Sequence, residues 1–368
     1  MSTEGFRYFM PADTYFGRNC ISEHKEAMQK LGKKAMLVTG KHSAKKNGSQ
    51  KDMTEALDAL GIQWVLFDEI GENPDEDTIC RGAALAVQEK VDFFIGIGGG
   101  SPMDASKAIS VMAAHPEKGK NVFFEAGLSA FPVVAVPTTA GTGSEVTQYS
   151  IVTFHEKRTK SSIAPKIFAK VAYLDPKYMD TLSPVTTNNT AVDALTHLIE
   201  SYLSANASFI SEKISELGFS VYRNCIPALK ARKYSAETRH DLMLASAIGG
   251  VAIAQAGTSL PHGLGYYLTY EKHVPHGRAN GVLTKAYLEL FPAEEKKVGQ
   301  LLACLGMKDL EELGAFLDEV LDSSETYTEE DVRYYTDRAM ENPAKLKTYP
   351  YPLTREDIYQ VYKKSLLK

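Results

Sequence analysis

The stretch VDFFIGIGGGSPMDASK, residues 91–107, decides the fold of this 368-residue chain. An apolar run of strand type ends at three glycines, and a helix-start signature follows, with Ser101 as N-cap, Pro102 in the first turn and Asp104 three residues after the serine. Bare glycine backbone beside a helix N-terminus attracts phosphate, because N–H groups point outward and no side chain blocks close approach. The segment is not a GxGxxG fingerprint, so an ordinary tight turn is the alternative.

A second segment, FPVVAVPTTAGTGSEVTQY at residues 131–149, repeats this arrangement. A strand of buried type runs into a loop rich in glycine and hydroxyl groups. The hydroxyls of Thr138, Thr139 and Thr142 can donate to phosphate, ribose or carboxamide oxygens, while the glycines let the backbone approach a flat ring. A solvated loop of small polar residues is the alternative.

Potential metal ligands follow in the second half of the chain. Asp193 and His197 stand four residues apart in NTAVDALTHLIE, and a helix places such a pair on one face. His262 and His276 lie downstream, so one carboxylate and three imidazoles could surround a divalent iron, zinc or nickel ion. Each residue alone is more simply a local cap or an ordinary core or surface side chain. The four together, after two glycine loops, favour a metal site.

These features resemble the iron-containing alcohol dehydrogenases, a metal-dependent family. The resemblance covers nearly the whole chain and rests on GGGSPMD at 98–104, PTTAGTGSEVT at 137–147, the aspartate–histidine pair and the spacing of the two downstream histidines. It implies that the metal ligands, which are also catalytic residues, are Asp193, His197, His262 and His276. It implies a cofactor-binding set formed by Gly40, Asn73, Gly98, Gly99, Gly100, Ser101, Asp104, Thr138, Thr139, Thr142 and Lys160.

The pattern of apolar segments divides the chain into two parts. Five strand-like runs alternate with helical patterns up to about residue 180, namely KAMLVTG, IQWVLF, VDFFIGI, FPVVAVP and KVAYLD. This pattern predicts a largely parallel sheet, and the remainder of the chain is helical. We therefore expect an α/β plus all-α fold: a Rossmann-like dinucleotide-binding domain at 1–182 and a helical metal-binding domain at 183–368, an architecture that the family resemblance relates to dehydroquinate synthase. We expect three prolines, Pro184, Pro227 and Pro261, to punctuate the helices.

Composition excludes several other classes. A net charge of −5 gives no basic footprint for nucleic acid, and no charge run suggests a membrane surface. The four cysteines lack CxxC spacing, and the opening MSTEGFRYFM does not read as a signal peptide. We expect a cytoplasmic enzyme with reduced thiols, acting on a small alcohol or aldehyde, and a homodimer because soluble enzymes often pair.

The expected chemistry is hydride transfer between a nicotinamide and an alcohol whose hydroxyl pKa is lowered by a Lewis-acidic metal. Many family members carry a proton-relaying histidine four residues after the third ligand, and here that position is Tyr266. Its hydroxyl could donate, but a tyrosine pKa of about 10 makes it a poorer shuttle than histidine, so a packing role is equally open. His273 is expected to face solvent.

Cofactor choice is predicted from LVTGKHSAKKNGS at residues 37–49. NAD enzymes normally place a carboxylate after the second strand, and that position is Gly40 here, followed by Lys41, Lys45 and Lys46. The positive local charge favours NADP(H) over NAD, with an ordinary solvated loop as the alternative.

Two other enzyme classes stay open at this stage, as does the substrate. A glycerol dehydrogenase or dehydroquinate synthase type of enzyme shares the architecture but usually lacks the aspartate with three histidines. A metal-dependent hydrolase leaves the loop at 137–147 without a role. A nonenzymatic nucleotide-binding protein would not need four convergent ligands. Tyrosines such as Tyr149, Tyr266 and Tyr267 suggest a short alcohol, diol or aldehyde without choosing among them.

Overall fold

A computed structural model describes residues 5–342 and 346–367. The described residues fall into two compact units, one from Met10 to Leu182 and one from Ser183 onward. The short segment before Met10 groups with the second unit, whereas the sequence assigned it to the first. The reason is a reciprocal pair of hydrogen bonds: Phe9 N donates to Gln255 Oε1 and Gln255 Nε2 donates to Phe9 O. Residues 1–4 of the opening decapeptide lie outside the described residues.

The Met10–Leu182 unit contains a parallel six-stranded sheet in the order β1-β8-β5-β4-β2-β3. The strands and a separate antiparallel hairpin, β6–β7, have the bounds β1 Asp13–Phe16, β2 Lys34–Thr39, β3 Gln63–Phe67, β4 Phe93–Gly98, β5 Val133–Pro137, β6 Ile151–Phe154, β7 Thr159–Ser162 and β8 Val171–Leu174. The helices are α1 Cys20–Glu23, α2 Ser43–Lys46, α3 Ser49–Ala59, α4 Glu76–Glu89 and α5 Gly100–Ala114. The five strands that the sequence predicted are β2, β3, β4, β5 and β8. The short strand β1 and the hairpin were missed.

Both faces of this sheet are covered, as parallel sheets require. Phe94 of β4 belongs to a buried cluster with Ile79 of α4 and Ile109 of α5. Its neighbour Phe93 points to the opposite face and joins a cluster with Leu57 of α3. Every residue of β4 is therefore buried, and its carboxyl end is a fixed support for the glycine turn that follows.

The second unit is helical. Its helices are α6 Pro184–Tyr202, α7 Phe209–Ala231, α8 Ala236–Ala256, α9 Leu260–Lys272, α10 His276–Leu288, α11 Lys296–Leu305, α12 Leu310–Val320, α13 Glu329–Met340 and α14 Arg355–Leu366. The prediction that Pro227 punctuates a helix is wrong, because it lies inside α7. Pro184 and Pro261 do lie in the first turns of α6 and α9.

The predicted fold class, a parallel-sheet domain followed by a helical region, is confirmed. Among the described residues, no single helix is long and apolar enough to cross a membrane. Only α8 and α9 taken together pass that test, and they are bent by 110° relative to each other.

Candidate nucleotide loops and metal centre

The glycine turn after β4 forms as a tight backbone corner. Gly98 has φ 151°, a conformation that side chains rarely adopt, and a Cβ there would come within 2.6 Å of Pro102. Helix α5 then begins at Gly100, with Gly99 as its N-cap and no side chain bonded to the cap position. A helix N-terminus held by bare backbone has N–H groups available to an anion.

The predicted capping box at this turn is wrong. Ser101 lies inside the first turn of α5, and its Oγ accepts a hydrogen bond from Asn73 N at 3.1 Å. Asp104 is buried, and its carboxylate accepts from Ser144 Oγ at 2.5 Å and from Ile151 N at 3.0 Å. Both side chains therefore bind other segments of the unit instead of capping α5.

Asn73, Ser101 and Lys160, three of the predicted cofactor residues, form a connected group. Beyond its bond to Ser101, Asn73 receives the Lys160 ammonium at its Oδ1, at 2.6 Å. Lys160 reaches this point from β7, the strand of the hairpin that the sequence did not predict. Asn73 adopts φ 58°, which asparagine tolerates better than most residues. The structure thus places a cation beside the N-terminus of α5.

The second loop packs directly on the first. Thr138 N donates to Gly98 O at 2.8 Å, which continues the pairing of β5 with β4. A Cβ on Gly100 would lie 2.6 Å from Thr142 Cγ2, so only glycine permits this approach. Thr139 lies beside Gly99: a Cβ added to Gly99 would be 3.3 Å from Thr139 Oγ1. The predicted hydroxyl residues and the glycine turn therefore form one surface of the unit.

Lys107 is a functional candidate that the sequence analysis missed. It lies in the second turn of α5, fully buried, and its Nζ donates to four oxygens of the second loop. These acceptors are Ser144 O at 2.7 Å, Ser144 Oγ at 2.9 Å, Thr147 O at 3.0 Å and Tyr149 O at 2.7 Å. The spacing Asp104-x-x-Lys107 was a usable signal, since it places opposite charges on one helix face.

Three buried ionisable groups share this region. Burial raises the pKa of Glu145 to about 7, even though its own backbone and Lys107 lower it. Burial also raises the pKa of Asp104, and it lowers the pKa of Lys107 to about 8 against the attraction of both carboxyls. The oxygen acceptors around its Nζ suit an ammonium group, which holds the loop.

Gly40 directly follows β2, at the position where NAD enzymes normally carry a ribose-binding carboxylate. A Cβ there would be 3.1 Å from Ile70 O, so a side chain needs a small backbone adjustment. The lysines that follow are exposed, but Lys45 is bonded to Asp68 at 2.8 Å. The positive charge beside Gly40 therefore rests mainly on Lys41 and Lys46.

Three of the four predicted metal ligands converge in the helical unit. The donor atoms of Asp193, His262 and His276 all lie within 4.8 Å of one another. Asp193 Oδ1 is 3.5 Å from His262 Nε2 and 3.8 Å from His276 Nε2. The three residues lie on α6, α9 and α10. Because these helices pack against one another, residues that are distant in the sequence come close together.

This donor set fits a divalent transition metal. Metal–ligand bonds of about 2.1 Å at tetrahedral angles separate the donor atoms by about 3.4 Å, close to the distances found here. Within the described part of the chain, the buried Nε2 of His262 has no hydrogen-bond partner. Burial opposes ionisation of Asp193, but the charges of His276 and His197 hold its pKa well below the usual range. A carboxylate and imidazole nitrogens suit iron and zinc.

His197, the fourth predicted ligand, lies beside this group. Its ring stacks on that of His262 with centroids 4.5 Å apart. Within the residues that the structure describes, its donor atoms fall outside the set that converges within 4.8 Å. Its placement on α6 one turn after Asp193 agrees with the spacing argument, and its role as ligand stays a prediction.

Tyr266 and His273 occupy different environments. The half-buried Tyr266 ring stacks on His276, with centroids 5.4 Å apart and planes 15° from parallel. His273 is exposed at the C-terminal cap of α9 with φ 54°. The tyrosine therefore flanks the candidate metal centre, whereas His273 is on the surface.

Asn280 and Glu200 are two further neighbours of the cluster that the sequence analysis missed. Asn280 Nδ2 lies 3.1 Å from Asp193 Oδ1 and 3.3 Å from His276 Nε2. Glu200 Oε1 lies 2.5 Å from His262 Nδ1. Helical spacing could have found both, because Asn280 follows His276 by four residues and Glu200 follows Asp193 by two turns.

A parallel sheet with an anion-attracting glycine turn, followed by a helical unit with a buried carboxylate–imidazole cluster, defines the chain as a metal- and nucleotide-using enzyme. Two family models match: iron-containing alcohol dehydrogenase over residues 11–176, and the C-terminal region of that family over residues 187–366. The chain belongs to the iron-containing alcohol dehydrogenase family.

Individual relatives agree with the family models. The NADPH-dependent butanol dehydrogenase of Clostridium saccharobutylicum is 31% identical over 75% of this chain and 71% of its own length. The lactaldehyde reductase of Escherichia coli K12 is also 31% identical, over 75% and 73% of the two chains. A crystal structure of an iron-containing alcohol dehydrogenase from Thermotoga maritima superimposes with a TM-score of 0.91 at 34% identity, covering 98% and 99%.

The chain is accordingly a metal-dependent alcohol dehydrogenase or aldehyde reductase of the iron-containing, NAD(P)-dependent kind, and these relatives are named for small alcohols or aldehydes. These findings favour the oxidoreductase over the hydrolase and over a nonenzymatic nucleotide-binding protein.

Proposed function

We propose that the protein is an iron-loaded, NADP(H)-preferring reductase of short aldehydes whose metal is held by Asp193, His197, His262 and His276. The observation that carries this proposal is the convergence of three buried or half-buried donors at separations suited to one metal ion, with His197 stacked beside them. Zinc and nickel fit the same donors, so iron is favoured by family membership.

When bound, a divalent metal acts as a Lewis acid on the substrate oxygen, and the nicotinamide gives or takes the hydride. The residues of this chain bind and orient these groups. The ionised Asp193 would neutralise part of the charge of a bound metal, and Asn280 holds the carboxylate through its amide. Tyr266, stacked on His276, restrains that imidazole; a hydroxyl contribution to proton transfer remains part of the proposal.

We assign the Met10–Leu182 unit to the nucleotide and the helical unit to the metal. The turn Gly98, Gly99, Gly100 and Ser101 would bind the pyrophosphate at the N-terminus of α5, with Asn73 and Lys160 beside it. Lys160 supplies a positive charge suited to phosphate. The hydroxyl-bearing residues assigned to the nicotinamide ribose and ring are Thr138, Thr139 and Thr142, with the buried Asp104 supporting the loop behind them.

The preference for NADP(H) is supported by the missing carboxylate at Gly40 and by the charges of Lys41 and Lys46. The Clostridium saccharobutylicum relative is named as an NADPH-dependent enzyme, which also favours NADP(H). NAD stays an alternative, because Lys45 is already neutralised by Asp68.

Cytoplasmic location and a homodimer complete the proposal. All four cysteines are free thiols, as expected in a reducing compartment. A symmetric pair is the commonest assembly among soluble oligomeric proteins.

The test is NADPH oxidation, with NADH in parallel, by anaerobically purified protein and a panel of short aldehydes. The assay is run before chelation, after chelation, and after ferrous iron or zinc is restored. We expect turnover that is lost on chelation, returns with iron and is faster with NADPH. Turnover that survives complete removal of metal would refute the proposed mechanism, and faster turnover with NADH would refute the cofactor preference alone.

A further inference from the structure

Glu200 is a fully buried carboxylate on α6, the helix that also carries Asp193 and His197. A buried carboxylate is costly unless it is paired with hydrogen-bond donors. The three residues follow each other at spacings of four and three, so they lie along one face of the helix.

Glu200 forms its hydrogen bonds with one segment, residues 259–262. Oε2 accepts from Ser259 N at 2.5 Å and from His262 N at 3.4 Å, while Oε1 lies 2.5 Å from His262 Nδ1. Ser259 is the N-cap of α9, and its own side chain makes no capping bond. The carboxylate of one helix therefore caps the first turn of another, where the helix dipole also favours negative charge.

The same carboxylate determines which nitrogen of His262 can bind a metal. An imidazole that donates Nδ1–H to a carboxylate has its lone pair on Nε2. That Nε2 is the atom 3.5 Å from Asp193 Oδ1. Such carboxylate–histidine pairs orient metal ligands and increase their basicity.

We infer that Glu200 is a positioning residue of the metal centre: it fixes the tautomer and orientation of His262 and anchors the start of α9, and thereby sets metal affinity. The inference rests on the proposed metal site. A role confined to capping α9 would stabilise the fold without setting metal affinity.

The test compares Glu200→Gln with Glu212→Gln by equilibrium competition for zinc between each protein and a chelator. Glu212 is a matched control, because it is also buried in the helical unit but is paired with Lys297 at 2.7 Å. We expect Glu200→Gln to weaken zinc binding by about 10- to 100-fold, the usual effect of losing such a partner. Glu212→Gln should bind zinc like the unmodified protein. Equal zinc affinity in both variants would overturn the inference.

A second measurement needs no variant at this position and so does not depend on how Glu200→Gln folds. In the wild-type protein with ¹⁵N-labelled histidine, zinc should shift the Nε2 resonance of His262 while Nδ1 keeps its proton, with His262→Ala used for assignment. Zinc binding through Nδ1 would overturn the inference and leave the metal site intact. A wild-type protein that binds no zinc and no iron would refute the metal site itself, and the role of Glu200 with it.

Discussion

The nucleotide unit and the helical unit each bury a charge behind their candidate ligand residues, but the charges are opposite. In the first, the Lys107 ammonium binds backbone carbonyl oxygens of the 144–149 loop. In the second, the Glu200 carboxylate binds N–H groups of the segment 259–262. The lysine occupies carbonyl acceptors, which repel a phosphate, and the glutamate occupies N–H donors, which repel a metal ion. Each buried charge thus removes the groups that are wrong for the proposed ligand.

The two buried charges, on Lys107 and Glu200, also differ in the ionisable groups that surround them. Lys107 shares its region with two carboxyls, Asp104 and Glu145, and burial changes the pKa of all three. Glu200 is bonded to a histidine, and the Glu200 and Asp193 carboxylates raise the pKa of His262 to about 9 although burial lowers it. Lys107 therefore lies near two carboxyl groups, whereas Glu200 is bonded directly to one imidazole.

The largest change in stability is expected when the buried cation is removed. Lys107→Met leaves three carbonyl oxygens and the Ser144 hydroxyl without their partner, and losing one member of a buried charged network costs about 3–5 kcal/mol. Denaturant unfolding measures this loss. Lys34→Met is the control, because Lys34 forms a partly exposed pair with Glu89, a type worth about 1 kcal/mol or less. Similar losses in the two variants would show that Lys107 does not hold the loop.

A smaller, pH-dependent effect is expected at Glu145. The unfolded carboxyl loses its proton near pH 4.5 and the folded one near pH 7, so the folded protein keeps a proton that the unfolded chain releases. Stability should therefore fall as pH rises through this window, by at most about 1.4 kcal/mol per pH unit.

Glu145→Gln removes this titration and keeps the shape of the side chain. Relative to wild type, the variant should gain stability between pH 5 and 7 (roughly) and show a constant difference above that window. Thermal unfolding across this range measures it, with Lys107 and Asp104 as the charged groups facing the site. Parallel pH profiles of the two proteins would contradict the assignment.

The smallest change is expected from Gly40→Asp, which tests nucleotide choice without touching either buried charge. A carboxylate at this position should repel a 2′-phosphate and raise the NADH:NADPH ratio of kcat/KM by about tenfold, since like charges about 4 Å apart repel by roughly 1–4 kcal/mol. Gly40→Ala controls for the close approach to Ile70 O. If alanine shifts the ratio as much as aspartate does, the charge argument is wrong.

The two-part architecture and the positions of the two glycine-containing loops could be predicted from local sequence patterns. The run ending at Gly98 and the loop starting at Thr138 are continuous segments whose composition indicates their structure. The cap was predicted wrongly because serine and aspartate suit an N-cap, whereas here Ser101 and Asp104 bind Asn73 and Ser144 instead. Contacts between distant segments override local preference at such positions.

The partners that hold the site could not be predicted in the same way. Glu200 meets His262 across 62 residues, and Lys107 meets Tyr149 across 42. Helical spacing places Glu200 on the face of Asp193, but only the packing of α9 against α6 decides what that face contacts. The hairpin β6–β7, which brings Lys160 to Asn73, has strands of only four residues, and β7 is polar, so the hairpin gave no clear strand signal.

The most direct test of the central claim is the metal content of wild-type protein and His262→Ala, measured by elemental analysis beside NADPH binding by fluorescence. We predict a stoichiometric metal ion in the wild type, its loss in the variant, and NADPH affinity that is nearly unchanged, because the nucleotide loops belong to the other unit. A variant that retains its metal and its aldehyde reduction would contradict the assignment of His262, and with it the metal centre proposed here.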